Sequence, residues 1–379
     1  MGLTQTKKIL IALLFSVISI SVLVIVLINI NTPLRLFNQD NNNLSDQYSA
    51  NSNATTESNT LTHIPTNLPK TTDSVSSNNE EIVQEEIPFS TVKILLFGDT
   101  SLLDPVGARA VQDPINQDPF RFVEDTFEQY DYVVGTLEST IDGESVGYPN
   151  PGKAYTFSNP PETATIFSNA GIDAMSYAGN HTKDYTAPSV THTIDLLNQA
   201  GVASFCAGAN NEQAYTPLVV DLKGTKVAFL GFNCIEYAFN HATDYEAGTA
   251  SFSEWKVRES ISYAKSQADV VVVFAHWGWE HTQELDPEWQ VLWAQIFTDA
   301  GADVVIGGHP HVVQPQVEVN GKPVFYSIGN FLFPGMAWDP ESQKGIMVEI
   351  NIDEKKISSI NTLKILMDGD GIPSVVENW

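Results

Sequence analysis

Histidine supplies only 8 of 379 residues, yet four of the eight, His181, His276, His309 and His311, sit directly after short apolar runs. Asp99 follows VKILLFG, Glu138 follows VVGTL, and Asn180 with His181 follows AMSYAG. His276 follows VVVVFA, and His309 and His311 follow DVVIGG. A single histidine in such a place is ordinarily a capping or core hydrogen-bonder. Five apolar runs all ending in residues of ligand type point instead to one site. Imidazole suits zinc, iron and related ions, carboxylate suits harder ions such as manganese, and a mixed set of nitrogen and oxygen donors suits hydrolysis. A carboxylate such as Glu138 is able to bridge two ions about 3.5 to 4 Å apart, a pair that activates water and clamps phosphoryl oxygens. No phosphate-binding P-loop occurs, so a nucleotide triphosphatase reading lacks its motif.

The elements that must position these residues are readable. The runs at 92–97, 130–135, 172–177, 226–232, 270–275, 303–308, 324–329 and 346–352 have the composition of strands, several too continuously apolar for a sheet with one wet face. Helices lie between them. Asp286 caps one whose first position is Pro287 and which turns out at Gly301. Ala170-Gly171, Ala200-Gly201 and Ala300-Gly301 repeat the same helix-to-strand passage. This alternation predicts αβ units with helices covering sheet faces, and in such folds ligands gather at the carboxyl ends of strands.

Before the body, residues 9–28 (ILIALLFSVISISVLVIVLI) are apolar apart from three serines. Twenty helical residues rising about 1.5 Å each span about 30 Å, the thickness of a bilayer's hydrocarbon. With Lys7 and Lys8 ahead of the run, the pattern predicts a short cytoplasmic N-terminus (1–8), an uncleaved signal anchor (9–30) and a body outside the cell membrane. Residues 31–90, rich in Asn, Ser and Thr, read as a disordered stalk. The formal charge of -27 argues against nucleic acid as a partner, since it repels phosphate backbones. Any anionic substrate then needs a local cation. Cys206 and Cys234 form no CxxC motif; they would pair only if the fold joined them, and buried thiols are the ordinary outcome.

Taken in order, FGDTSLL (97–103), TLES (136–139), AGNHTKDY (178–185), HWGWEH (276–281), GGHPHVVQP (307–315) and YSIGNFLF (326–333) resemble the CapA family. These are capsule or poly-γ-glutamate synthesis proteins related to calcineurin-like metallophosphoesterases. The resemblance covers residues 91–352 and leaves 353–379 as an extension packed on or following the domain. It implies an α/β fold, a four-layer αββα sandwich, and one or two divalent ions (Mn, Zn or Fe). Asp99, Glu138 and His311 would surround one position, and Glu138, Asn180, His276 and His309 the other. His181 would protonate a leaving oxygen or hold a phosphoryl group, with hydrogen bonding that supports a metal ligand as its equal alternative. Asp184 and Asn330 would orient ligands, Glu280 would orient a ligand or meet substrate, and Trp277 and Trp279 would wall a pocket or belong to the core. Asp104, Arg109 and Lys153 read either as substrate contacts or as ordinary loop charges.

The sequence departs from the pattern in places. Thr100 and Ser101 follow Asp99 where the wider superfamily has Asp-x-His, which removes a histidine from the first position. Gly179 and Thr136 stand where Asn is common, and His281 where Tyr is common. The implied activity is a metal-dependent hydrolase of phosphoester or amide bonds in envelope polymer metabolism, with an anionic polymer or its synthase subunits as partners. The alternative from another class is a non-catalytic assembly or export subunit.

Overall fold

In the computed structural model, which describes residues 90–379, the apolar runs from residue 92 onward form strands. The anchor and stalk expected before that point lie outside the described residues. Among the described residues, no helix is long and apolar enough to cross a membrane.

Fourteen strands make two mixed sheets. They are β1 (Val92–Thr100), β2 (Tyr132–Leu137), β3 (Ala174–Ser176), β4 (Ala203–Phe205), β5 (Leu218–Leu222), β6 (Thr225–Asn233) and β7 (Val270–His276). After these come β8 (Val304–Gly308), β9 (Gln316–Val319), β10 (Lys322–Phe325), β11 (Asn330–Leu332), β12 (Lys344–Asp353), β13 (Lys356–Met367) and β14 (Pro373–Val376). The first sheet runs β14-β13-β12-β1-β2-β3-β4, with β11 also paired to β1. The second runs β9-β10-β8-β7-β6-β5. The run expected at 324–329 is split, because β10 ends at Phe325 and β11 begins at Asn330 in the other sheet.

Three apolar clusters explain the layering. Ile94, Leu96 and Val348 of the first sheet meet Phe229, Val272 and Ile306 of the second in one of them. Leu95, Val133 and Met175 use the other face of the first sheet and pack with Phe167, Val190 and Leu197. Val271, Val273 and Leu230 do the same on the second sheet with Val257, Ile261 and Phe297. Strands covered on both faces have to be apolar at successive positions, and all seven residues of β7 are buried.

The helices are amphipathic. Residues Thr163–Asn169 (α1) and Thr186–Gln199 (α2) cover the first sheet, and α2 buries Ser189, Val190, Thr193 and Leu197. Glu254–Gln267 (α3) and Leu292–Ala300 (α4) cover the second sheet. As the sequence predicts, the Asp286 side chain accepts from Glu288 N (2.8 Å) and Trp289 N (3.0 Å). The first turn, Pro287–Val291, is nevertheless π-helical before α4 proper begins. Gly171, Gly201 and Gly301 end their helices at φ of +80°, +83° and +119°, a region that L side chains resist.

The segment after residue 352 belongs to the first sheet, since β13 pairs antiparallel with β12 along ten register positions and β14 pairs with β13. Both cysteines are free.

Candidate metal centre

Parallel pairing brings the strand ends together. Asp99 lies opposite Thr136 on β2 and Asn330 on β11, while His276 lies opposite Asn233 on β6 and Gly308 on β8. Residues distant in sequence thus reach one point, and two donor sets result. Glu138, His276 and His309 form one, Asp99, Glu138 and His311 the other, with the ligand-type atoms of each set within 4.8 Å of one another. Glu138 belongs to both, which is the geometry of a bridging carboxylate.

Every member is buried. His276 Nε2 lies 2.8 Å from Asn180 Oδ1 and 3.2 Å from Glu138 Oε1, so Asn180 joins the first set. His311 Nδ1 lies 2.8 Å from Asn330 Oδ1 and 3.6 Å from Asp99 Oδ2. Asn330 also donates to the Ser342 carbonyl, which fixes the amide that orients His311. Asp99 Oδ2 accepts from His309 N at 2.9 Å.

The loop after β8 carries both His309 and His311 in the left-handed region, at φ of +91° and +58°. Such backbone costs of the order of 1 kcal/mol or more per residue and persists only where its surroundings enforce it. Here the Asp99 carboxylate holds His309 N, and the Pro310 carbonyl accepts from His281 N at 2.8 Å. Gly308 leaves room for Asp99, because a Cβ there would stand 2.6 Å from Oδ1.

The donor chemistry fits a divalent cation. Asp99 Oδ1, both Glu138 oxygens, and Nδ1 of His276 and of His309 are buried without a hydrogen-bond partner. Buried polar atoms are nearly always partnered, and five unpartnered ones on four neighbouring residues leave the donor capacity that a cation would use. Burial raises Asp99 well above the usual carboxylate range, with the negative charge of Glu138 adding to it. Burial likewise pushes Glu138 up to about 8. The imidazoles move the other way: burial lowers His276 to about 4 and His311 to about 3, and His309 falls well below its ordinary value. Neutral imidazoles beside crowded carboxylates are what a cation binds.

Beside this cluster, His181 Nδ1 lies 2.6 Å from Asp184 Oδ2, and its ring stacks on Phe157 at 4.2 Å between centroids. Asp184 also accepts from Phe157 N. Its other oxygen is held in a very short contact by Lys153, whose ammonium also reaches the Asn180 carbonyl and lies 3.1 Å from Glu236. The Lys153 side chain is almost wholly buried. It is a structural part of the site, held against Asp184, rather than the substrate contact or ordinary loop charge between which the sequence leaves it. Asn233, buried at the end of β6, donates to the Gly179 carbonyl and is a residue that sequence reasoning passes over.

Other expected residues fall elsewhere. Trp277 is fully buried in the helix-covered core of the second sheet, its Nε1 donating to the Tyr326 carbonyl at 2.7 Å, so it walls no pocket. Trp279 is half exposed. Glu280 stands at the rim, 4.0 Å from His309 Nε2. His281 packs between His311 and Trp338, and its Nδ1 lies 3.1 Å from Ser342 Oγ. Arg109 pairs with Asp370 on the surface, away from the donor sets.

Two mixed sheets layered between helices, with carboxylates and imidazoles gathered at their strand ends, define an α/β protein carrying a candidate dinuclear metal centre. Residues 93–335 match the family described as bacterial capsule synthesis protein PGA_cap, and the chain belongs to that family. Its relatives include the capsule biosynthesis protein CapA of Bacillus anthracis, 33% identical over 219 residues (56% of this chain, 53% of that protein). The PGA biosynthesis protein CapA of Bacillus subtilis is 29% identical over 215 residues (56% of each). A probable polyglutamine synthesis accessory protein of Mycobacterium tuberculosis is 24% identical over 208 residues (51% of this chain, 53% of that protein). The chain thus spans about half the length of the curated relatives it matches. Among solved structures, a 5'-nucleotidase precursor from Thermus thermophilus superposes with a TM-score of 0.46 at 14% identity, covering 75% of this chain and 56% of that one.

Proposed function

We propose that the protein is a metal-dependent hydrolase of phosphoester or amide bonds in the synthesis of a capsule or poly-γ-glutamate-like polymer, anchored through residues 9–28 with its body outside the membrane. One observation carries the catalytic reading: two buried donor sets, Glu138 with His276 and His309 and Asp99 with Glu138 and His311, share one carboxylate whose oxygens have no hydrogen-bond partner. The polymer follows from the family and from the names of its members. The anchor follows from the apolar run alone.

A divalent cation bound there would polarise a phosphoryl or carbonyl oxygen and make water a competent nucleophile near neutral pH. Asp99, Glu138, Asn180, His276, His309 and His311 are the residues to hold it. His181 is the proton donor to the leaving group. Asp184 takes its Nδ1, which leaves Nε2 for the transfer, and Lys153 holds Asp184 in place. Asn330 keeps the His311 ring in its orientation.

The test is the paired replacement His276→Ala and His309→Ala in the full-length chain, with bound metal and turnover of generic phosphoesters measured together. Loss of both is expected. Polymer production that depends on these histidines, in a protein showing no hydrolysis with any divalent metal, would leave an assembly subunit as the correct reading. The accessory role in the name of the mycobacterial relative favours that second reading.

A further inference from the structure

We propose that the groove beside the metal centre is an anion subsite, in which Lys183 receives a carboxylate or phosphate oxygen of a substrate chain extending away from the reacting bond. The groove is a cavity of about 370 Å³ lined by Tyr148, Lys183, Phe239, His241 and Glu246, among others. It lies next to the segment that carries the site, because Lys183 precedes Asp184 and Asn150 in the groove lining donates to the Asp184 carbonyl at 2.8 Å. A chain whose scissile group reached His181 would have its next units in reach of this groove.

The ion pair in the groove is asymmetric. Lys183 Nζ lies 2.7 Å from Glu246 Oε1, with the lysine side chain 9% exposed and the glutamate side chain 53% exposed. The cation is built into the wall, whereas its counter-ion reaches in from solvent. A half-exposed carboxylate contributes at most about 1 kcal/mol to such a pair. Glu246 is therefore displaced at little cost by an anion that brings other contacts. In a chain of net charge -27, a fixed ammonium with a removable partner is the feature an anionic substrate needs in order to approach. Tyr148 and Phe239, 65% and 38% exposed, provide apolar faces for the carbon segments between anionic groups.

The subsite rests on the proposed function for the identity of the chain, but binding alone tests it, without turnover. The full-length protein is stripped of metal with a chelator and titrated with a short γ-linked glutamate oligomer and, separately, with inorganic phosphate. Lys183→Met should weaken binding about tenfold or more, the loss expected for one contact to a charged group. Glu246→Gln should tighten it by freeing the ammonium, and Lys183→Arg should keep it. The probe that shows these opposite signs identifies the anion as carboxylate or phosphate. If the pair only ties two loops together, Lys183→Met and Glu246→Gln change binding in the same direction or not at all, and the subsite is refuted. Absence of hydrolysis with the opposite signs intact would count against the proposed activity while leaving the subsite standing.

Discussion

Replacing Glu138 by Gln should change stability in opposite directions depending on metal. Glu138 is completely buried, and burial is the largest cause of its rise from 4.5 to about 8. At about 1.4 kcal/mol for each factor of ten in proton affinity, that rise destabilises the charged side chain by about 5 kcal/mol in the folded protein. The folded carboxyl therefore holds its proton through the window from about 4.5 to 8, in which the unfolded one has released it. Without metal, stability contributed by Glu138 is full below the unfolded value and is lost as pH rises towards 8. Glutamine resembles the protonated form, so the chelated Glu138→Gln protein should match the parent near pH 4.5 and exceed it increasingly up to pH 8. With a divalent metal the order reverses where the metal's contribution exceeds that difference, below about pH 6.5. The parent gains about 2.7 kcal/mol at a metal concentration one hundred times the dissociation constant, and the variant, lacking the bridging charge, gains far less.

The assay is denaturant or thermal unfolding of both full-length proteins from pH 4.5 to 8, with chelator and with manganese or zinc. Taking the difference between the two curves cancels the imidazoles, whose lowered values give the opposite slope below about 6.5. Parallel pH profiles in chelator, or equal metal stabilisation of the two proteins, would refute the assignment of Glu138 as a buried, shared ligand.

Three further perturbations separate the parts of the site. Gly308→Ala places a Cβ against Asp99 Oδ1 and should cost about 1–3 kcal/mol by overpacking. It should also lower metal stoichiometry, measured by elemental analysis, while the Glu138, His276 and His309 set still binds. Lys153→Met strands the fully buried Asp184 and should cost about 3–5 kcal/mol in unfolding experiments; a loss below 1 kcal/mol would show that the contact is not a working ion pair. Trp277→Ala should cost about 3–5 kcal/mol through its cavity, with the KM for any small substrate unchanged in the folded fraction, as befits a core residue.

Much of this molecule is legible without coordinates because burial on two faces leaves a simple trace. Strands such as VVVVFA have to be apolar at every position, and the first polar residue after them marks where the strand leaves the core. That is why Asp99, Glu138, Asn180, His276, His309 and His311 stand out in one dimension. Asp286 with Pro287, and Gly301 after Ala300, are equally local signals, written by capping and by the left-handed turn.

What depends on contact between distant segments leaves no such trace. Nothing local distinguishes Lys153 from a surface lysine until Asp184 and the Asn180 carbonyl arrive to surround its ammonium. Trp277 directly follows a ligand-type residue, yet the alternation of side chains turns it to the opposite side of the sheet, into the core under α4. The residues after 352 read as an extension because half-exposed strands alternate weakly, and only pairing with β12 makes them part of the sheet. The sequence alone determined which residue types stand at strand ends, since each depends on its own neighbours in the chain. The tertiary structure alone decided that Lys153 is buried against Asp184 and that Lys183 faces a groove, because both follow from distances between strands and loops far apart in the chain.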